Sequence, residues 1–162
     1  MRPNTVFLAI LGLSLLAGCQ SAQRHAAEAV YARFFLEMTG PGATTVVLPV
    51  SEVRLSVSPK PVLSEFDIAD VQLVQVDLGR CLLFQLTPAA ARDLYRLSAS
   101  NQGSRLVLFL NGQPAGARRI EAPLSEGSVL IFVEQPDATL PALVARLKQT
   151  AADLQKKAAR KR

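Results

Sequence analysis

An apolar run near the start of the chain ends in a cysteine. This pattern predicts that the residues before the cysteine are not part of a folded domain. Arg2 is followed by apolar residues 6–17, and the run closes with Leu16-Ala17-Gly18-Cys19. A positive residue, a short apolar run and small residues at its end are typical of a secretory signal peptide. The run is too short to span a membrane, which takes about 20 apolar residues. The order of these residues predicts a bacterial lipoprotein, cleaved after residue 18 and lipidated on Cys19.

Lipidation limits how the rest of the chain can be held together. Cys19 and Cys81 are the two cysteines of the sequence, so a lipid on Cys19 leaves Cys81 without a partner in the chain. An internal disulfide is then excluded, and residues 19–162 must fold on apolar packing. Cys81 lies in an apolar, strand-like run that ends at Leu86, which predicts a buried thiol. A bond to another molecule through Cys81 stays open as the alternative.

The formal net charge of +5 is concentrated at the C-terminus. Residues 19–147 hold 11 Lys and Arg against 12 Asp and Glu, whereas residues 148–162 hold six basic residues and one Asp. The body is therefore nearly neutral, and the signal peptide directs it away from nucleic acid. The sequence also lacks the basic and aromatic interleaving of nucleic-acid-binding domains, so this function class is excluded.

The basic tail allows two interpretations. It contains Lys156, Lys157, Arg160, Lys161 and Arg162. Cations at the end of a helix interact favourably with its dipole, so the tail can be a solvated helix end. Basic residues are also attracted to anionic lipid headgroups or to another acidic partner, which makes the tail a candidate membrane or partner contact.

Apolar periodicity predicts an α+β fold. Strands are predicted over residues 30–38, 44–48, 53–57, 71–77, 81–86, 105–110, 115–122 and 129–133. One helix begins at Thr87-Pro88, because Thr87 can accept hydrogen bonds from free amides and Pro88 suits the first helical position. A second helix is capped by Asp137 or Thr139 and carries an apolar stripe from Leu140 to Leu154. Strands with two inserted helices predict a mostly antiparallel sheet with the two helices packed on one face.

Turn signals predict two hairpins and the division of the chain. Gly79-Arg80 joins the strands on either side of it, and Asn111-Gly112 is the strongest hairpin signal because both positions tolerate positive φ. The small polar residues after Cys19 predict a tether. The predicted parts are a signal peptide (1–18), a tether (19–29), one α+β domain (30–155) and a basic tail (156–162).

Several short segments follow one another in an order that is typical of a known family. They are Pro61–Ser64, Asp67-Ile68, Asp70-Val71, Phe84–Leu94, Asn101–Gln113, Ala117–Leu124 and Gly127-Ser128. Between residues 60 and 133 the chain therefore resembles the first periplasmic domain of SecD, a subunit of the Sec preprotein translocase. It departs from the family at Glu126, where the family has a glycine. The resemblance implies a periplasmic module that contacts extended or unfolded polypeptide, without the proton-driven activity that belongs to the membrane-spanning segments of SecD.

The sequence shows no catalytic constellation. The one histidine, His25, lies in the predicted tether, and the sequence contains no H-E-x-x-H, C-x-x-C or G-x-S-x-G motif. Glu65, Asp67 and Asp70 are close together and could attract a cation, but the resemblance to SecD implies a turn and a cap there. We therefore expect no enzyme, no metal, no cofactor and no small-molecule substrate.

These observations predict a non-enzymatic envelope lipoprotein. By resemblance to Gram-negative lipoproteins, Gln20 in place of an aspartate after Cys19 predicts the periplasmic side of the outer membrane. The α+β domain is expected to bind a protein partner or an extended peptide, by strand addition at an open sheet edge and close to the Asn111-Gly112 hairpin. The alternative is a structural or assembly lipoprotein that docks onto an envelope complex through its last helix and basic tail.

Overall fold

The computed structural model describes residues 28–160 as eight strands and two α-helices. The predicted signal peptide, Cys19, nearly all of the tether, Lys161 and Arg162 lie outside the described residues. In chain order the elements are β1 (Ala32–Leu36), β2 (Thr44–Val47), β3 (Arg54–Val57), β4 (Ile68–Val76), β5 (Gly79–Leu86), α1 (Pro88–Ser100), β6 (Arg105–Leu110), β7 (Gln113–Arg119), β8 (Ser128–Ile131), a 3-10 turn (Asp137–Thr139) and α2 (Leu140–Ala159). The predicted α+β class is confirmed, and each predicted strand and helix has a counterpart.

The eight strands pair antiparallel and form three sheets with the orders β1-β6-β7, β2-β3 and β4-β5-β8. The hairpin at Asn111-Gly112 is confirmed, with φ of 48° and 82° at these residues and Leu110 paired with Gln113. Positive φ at both central residues matches the right-handed twist of the flanking strands. The β4–β5 hairpin is also confirmed, but it turns at Asp77-Leu78, since Gly79 already pairs with Val76.

Strands β7 and β8 belong to different sheets but run alongside each other. A bulge in β7 makes this possible: Leu108 pairs with Gly116 and Phe109 with Pro114, which leaves Ala115 as the extra residue. The carbonyl of Ala115 accepts a hydrogen bond of 2.7 Å from the amide of Glu134, just beyond β8. The bulged residue therefore finds its partner in the neighbouring sheet.

Gly116 sets how closely these two strands approach. A Cβ atom at this position would lie 2.1 Å from the carbonyl oxygen of Phe132, a distance that real Cβ atoms essentially never show. Glycine is thus required here for close backbone contact and not for an unusual φ. Two residues further along β7, Nη1 of Arg118 donates to the carbonyl of Leu130 at 2.9 Å and extends the contact.

One core of buried apolar side chains joins both three-stranded sheets to both helices. Phe34 of β1 and Phe84 of β5 are fully buried and meet edge to face, with ring centroids 5.1 Å apart. Leu94 of α1 and Leu147 of α2 pack into the same cluster. Burying each such side chain contributes about 1.5–3 kcal/mol, which is the main stabilisation available to these residues.

A second, smaller cluster lies on the opposite face of the β1-β6-β7 sheet. Leu48, Leu55 and Val57 from the β2–β3 hairpin pack on Val107 of β6, with Phe109 at the margin. Alternate residues of β6 therefore face opposite cores, which explains why its sequence is an unbroken apolar run.

The carboxylate of Glu134 fastens the β2–β3 turn to the segment after β8. One of its oxygens accepts hydrogen bonds from the amides of Val50, at 2.7 Å, and Ser51, at 3.1 Å, and the other accepts from the Ser51 hydroxyl. Burial raises the pKa of Glu134, but the hydrogen bonds from Ser51 and the two amides outweigh it and hold the pKa below its ordinary value. One residue thus connects all three sheets.

The two helices differ in how they begin. Thr87 caps α1 as predicted, because its hydroxyl accepts from the amide of Ala90 at 3.4 Å. The predicted side-chain cap of α2 is wrong. The backbone carbonyl of Asp137 accepts a hydrogen bond from the amide of Leu140, and the Thr139 hydroxyl donates to the carbonyl of Pro136. The 3-10 turn takes the place of the cap. Neither helix described here has the length and apolarity needed to cross a membrane.

We predict that Gly116→Ala destabilises the fold through a steric clash and not through backbone strain. The new methyl group meets the backbone of Phe132, so we expect a loss of about 2–4 kcal/mol in the free energy of unfolding, measured in urea. The control is Gly112→Ala, which has positive φ but nothing within 4 Å, and should cost about 1 kcal/mol. Equal losses in the two variants would show that β7 and β8 do not make the close contact.

We predict a pH-dependent effect of Glu134→Gln. A carboxyl group with a lowered pKa in the folded state stabilises the fold above its unfolded pKa, and the stabilisation disappears as the pH falls through the folded pKa. The variant should therefore be less stable than the wild type by about 1 kcal/mol at pH 7, with the difference closing below pH 4.5, the ordinary value for Glu.

The matched control is Glu52→Gln, an exposed carboxylate in the same turn. Urea unfolding of the three proteins at several pH values measures the effect. A difference between Glu134→Gln and the wild type that stays constant down to acid pH contradicts the assignment of the effect to charge.

Candidate binding groove on the β1-β6-β7 sheet

The described part of the predicted basic tail is exposed. α2 runs through Lys156 and Lys157 to Ala159, and Arg160 follows it directly. All three cationic side chains are exposed to solvent, which fits both interpretations of the tail. Cys19, Lys161 and Arg162 lie outside the described residues, so their predicted roles stay predictions.

The acidic residues near β4 have separate partners. The carboxylate of Glu65 binds Arg33 through two hydrogen bonds, whereas Asp67 accepts from the amide and hydroxyl of Ser64, both at 2.8 Å. Asp70 lies 3.4 Å from the ammonium group of Lys148. Asp67 thus closes the turn implied by the resemblance, whereas Glu65 and Asp70 pair with side chains of β1 and α2. Within residues 28–160, the side chains form no group of three or more His, Cys, Asp or Glu that could hold a metal ion.

Cys81 is fully buried, as its apolar surroundings in the sequence predict. Its sulfur lies 3.8 Å from the carbonyl oxygen of Val74 on the paired strand. Burial raises the pKa of the thiol, and the nearby positive charge of Arg118 opposes the shift only in part. A buried thiol with a raised pKa is a poor nucleophile, so Cys81 has a packing role.

An open groove of about 720 Å³ lies beside the Asn111-Gly112 hairpin. Its lining residues come from β1 and the segment before it, and from β6 and its turn: Glu28, Ala29, Tyr31, Arg33, Phe35, Phe109, Asn111 and Gly112. Successive side chains of a strand point to opposite faces of its sheet. Tyr31, Arg33 and Phe35 therefore share the groove face, while Ala32 and Phe34 enter the main core.

Aromatic side chains form much of the groove. Phe35 and Phe109 lie on neighbouring strands with ring centroids 4.6 Å apart, and both also pack at the margin of the second cluster. Tyr31 is 42% exposed at the other end of the groove. The β2–β3 hairpin covers one part of this sheet face, and the groove is the part that it leaves open.

The Asn111 turn is fastened to the start of β1. The side-chain oxygen of Asn111 accepts a hydrogen bond from the backbone amide of Tyr31 at 2.8 Å. The backbone amide of Asn111 donates to the carbonyl of Tyr31 at 2.9 Å. Its side-chain nitrogen donates to the carbonyl of Ala29 at 3.4 Å. Three hydrogen bonds from one residue hold the edge of the groove in a defined position.

An ion pair holds the guanidinium group of Arg33 in a fixed position in the groove. Nε and Nη2 of Arg33 donate to the two carboxylate oxygens of Glu65 at 2.6 and 2.7 Å. The hydrogen bond from Arg33 lowers the pKa of Glu65 and outweighs the effect of burial. Both hydrogen bonds that Arg33 makes within residues 28–160 leave its Nη1 donors available to a ligand.

Two strands present an open edge within the described part of the chain. The amide of Leu48 donates to the carbonyl of Val53, so the alternation of an antiparallel pair turns the backbone groups of Thr45 and Val47 away from β3. β4 likewise pairs on one side only. The outer edge of β1 is closed, because Phe34 exchanges hydrogen bonds with the segment at Val62 and Leu63.

The sequence predicts a contact near Asn111-Gly112, and the groove lies there, but the aromatic residues that line it were not predicted. A signal was present in Tyr31-Ala32-Arg33-Phe34-Phe35, where strict alternation places the first, third and fifth residues on one face. Phe109 gave no such signal, because its partner Phe35 is far from it in the sequence.

Comparison with known proteins identifies the fold. No protein-family model matches the chain, and no curated protein has significant sequence similarity to it. Solved structures of SecDF are similar to it. One is SecDF in a super-membrane-facing form, with a TM-score of 0.56 and 18% identity over 76% of this chain and 18% of that chain.

A second structure, of SecDF as a membrane component that enhances protein export, has a TM-score of 0.58 and 17% identity over 85% of this chain and 70% of that chain. A third is SecDF of Thermus thermophilus, a translocon-associated membrane protein, with a TM-score of 0.52 and 19% identity over 83% of this chain and 22% of that chain. The chain spans under a quarter of the first and third structures. At these identities the similarity shows a shared fold, which confirms the predicted resemblance to SecD at that level.

Proposed function

We propose that this protein is a lipid-anchored envelope protein whose SecD-like module binds extended polypeptide without catalysing a reaction. The observation that carries the proposal is the aromatic groove beside Asn111, on a fold shared with a component described as enhancing protein export. The proposed occupant is a segment of an unfolded or partly folded protein, with its backbone lying along the groove.

The chemistry of the groove suits such a ligand. Tyr31, Phe35 and Phe109 offer apolar surface that is tolerant of different side chains, and aromatic contacts contribute about 0.5–1.5 kcal/mol each. The Nη1 donors of Arg33, which make no hydrogen bond within residues 28–160, can bind a backbone carbonyl. Tyrosine and arginine are also enriched among the residues that dominate protein interfaces.

The titratable groups of the groove support binding in preference to catalysis. They are Glu28, Tyr31 and Arg33, and the last is held by Glu65. A nucleophile activated by a neighbouring base requires two groups within hydrogen-bond reach, and the groove lining offers no serine, cysteine or histidine for that role.

The location rests on the predicted lipoprotein site. A lipid on Cys19 would anchor the module, and Gln20 after it favours the periplasmic side of the outer membrane. Two or more acyl chains are needed for stable anchoring, because a single chain binds a membrane only marginally. The residues after Cys19 would then join the anchor to β1.

The anchor predicts that palmitate labelling depends on Cys19. In cells given an alkyne analogue of palmitate, the wild type should be labelled and Cys19→Ser should not. Cys81→Ser is the matched control and should keep full labelling, because Cys81 is buried in the core. A wild-type protein without label, or a labelled Cys19→Ser variant, contradicts the anchor.

A second candidate function is docking onto an envelope complex as a structural lipoprotein. The exposed cations Lys156, Lys157 and Arg160 at the end of α2 favour it, since they form a surface separate from the groove. In that case substitutions in the groove should leave the function of the protein unchanged.

Because the groove is the proposed binding site, we expect Tyr31→Ala to weaken polypeptide binding about tenfold, which corresponds to about 1.4 kcal/mol. The probe is fluorescently labelled, reduced and carboxymethylated α-lactalbumin, a permanently unfolded chain, and the measurement is fluorescence anisotropy. Tyr95→Ala is the matched control, because Tyr95 is 48% exposed on α1 and lies outside the groove.

Both variants should unfold at the wild-type temperature, since each removes an exposed ring. Equal affinities in the wild type and Tyr31→Ala, or equal weakening in both variants, contradict binding in the groove. Binding of the probe that is unaffected by every groove substitution would favour an open strand edge at β2 or β4.

A further inference from the structure

We propose that the end of α2 and the turn beside it form a docking surface for anionic phospholipid, distinct from the groove. The surface, here called the membrane patch, consists of Phe66, Lys156, Lys157 and Arg160. It gives a specific ligand to the basic tail and adds an aromatic residue that the sequence pattern did not single out. The patch itself does not depend on the lipid anchor; only the ability of anchor and patch to reach one bilayer together rests on the proposed function.

Phe66 is held in an exposed position next to the basic helix end. The side-chain nitrogen of Gln155 on α2 donates to the carbonyls of Phe66 and Ile68, both at 3.1 Å. Phe66 lies in the turn between Ser64 and Asp67, which closes with hydrogen bonds of 2.8 to 3.1 Å. The ring is nevertheless 59% exposed. A rigid turn that presents a phenyl ring to solvent beside cations suits the boundary between headgroups and acyl chains.

The charge at the end of α2 favours an anionic surface. Lys156, Lys157 and Arg160 are exposed, and Lys161 and Arg162 continue the series in the sequence. The one acidic residue among residues 148–162 is Asp153, whose carboxylate accepts a hydrogen bond from Gln149. Basic residues near an anionic bilayer attract it cumulatively, and the attraction falls off within a Debye length.

The chain outside the described residues is long enough for the anchor and the patch to reach one bilayer together. The carbonyl of Glu28 accepts from Nε of Arg146 at 3.0 Å, which fixes where the N-terminal segment leaves the fold. Along α2, Arg160 lies about 21 Å from Arg146 at 1.5 Å per residue. The segment from Cys19 to Glu28 spans at most about 30 Å. A lipid on Cys19 would therefore hold the patch at a high effective concentration near the membrane.

The test uses residues 20–162 without lipid, because residues 28–160 contain both cores and all the described elements. Cosedimentation is measured with vesicles of phosphatidylcholine alone and of phosphatidylcholine with phosphatidylglycerol. We expect binding to the anionic vesicles only, weakened by added salt. Lys156→Gln with Lys157→Gln should reduce the affinity at least tenfold, and Phe66→Ser about fivefold.

Two control variants match these changes elsewhere on the surface. Arg92→Gln with Arg96→Gln removes two exposed cations of α1, and Leu78→Ser removes an apolar residue that is 86% exposed in the β4–β5 turn. Both controls should bind as the wild type does. Equal losses in the control and patch variants would show general electrostatic attraction and would overturn the proposal.

Two further results would also overturn it. Binding to polyglutamate but not to anionic vesicles would assign the cations to an acidic macromolecule, and binding to neutral vesicles would remove the role of charge. The outcome is separate from that of the proposed function, because palmitate labelling of Cys19 and the effect of Tyr31→Ala do not depend on vesicle binding.

Discussion

The contact between Gly116 and the backbone of Phe132 is the constraint on which the described fold depends. A side chain at position 116 would occupy the place of the Phe132 carbonyl, so the two three-stranded sheets can meet only over glycine. The bulge at Ala115 and the hydrogen bond from Glu134 lie where β7 comes close to the segment after β8. Since Cys81 is buried as a free thiol, this junction and the shared apolar core hold the sheets together.

The position of the groove follows from this junction. The main core covers one face of the β1-β6-β7 sheet, and the β2–β3 hairpin covers only part of the other face. Glu134 fastens that hairpin through its turn, at the point where the two larger sheets meet. Tyr31 and Arg33 lie where the cover ends, so their exposure results from how far the hairpin extends.

Local chemistry made parts of the fold predictable. Thr87-Pro88 and Asn111-Gly112 act through their own backbone and near neighbours, and both form the predicted structures. Features that depend on distant residues were not predictable in this way. The contact of Gly116, the pairing of Phe35 with Phe109, and the division of the strands among three sheets depend on residues that meet only in the folded chain. The expected cap at Asp137 was wrong because backbone hydrogen bonds of a 3-10 turn replaced it.

The groove and the membrane patch are joined by one short turn. Glu65 points back to Arg33 in the groove, and the next residue, Phe66, is exposed beside the end of α2. Because successive residues of this turn serve the two surfaces, a bilayer that receives Phe66 would lie close to the Arg33 end of the groove. In the proposed arrangement the lipid anchor sets the distance from the membrane, whereas the patch sets the orientation. A polypeptide bound in the groove would then lie beside the bilayer and not at the far side of the module.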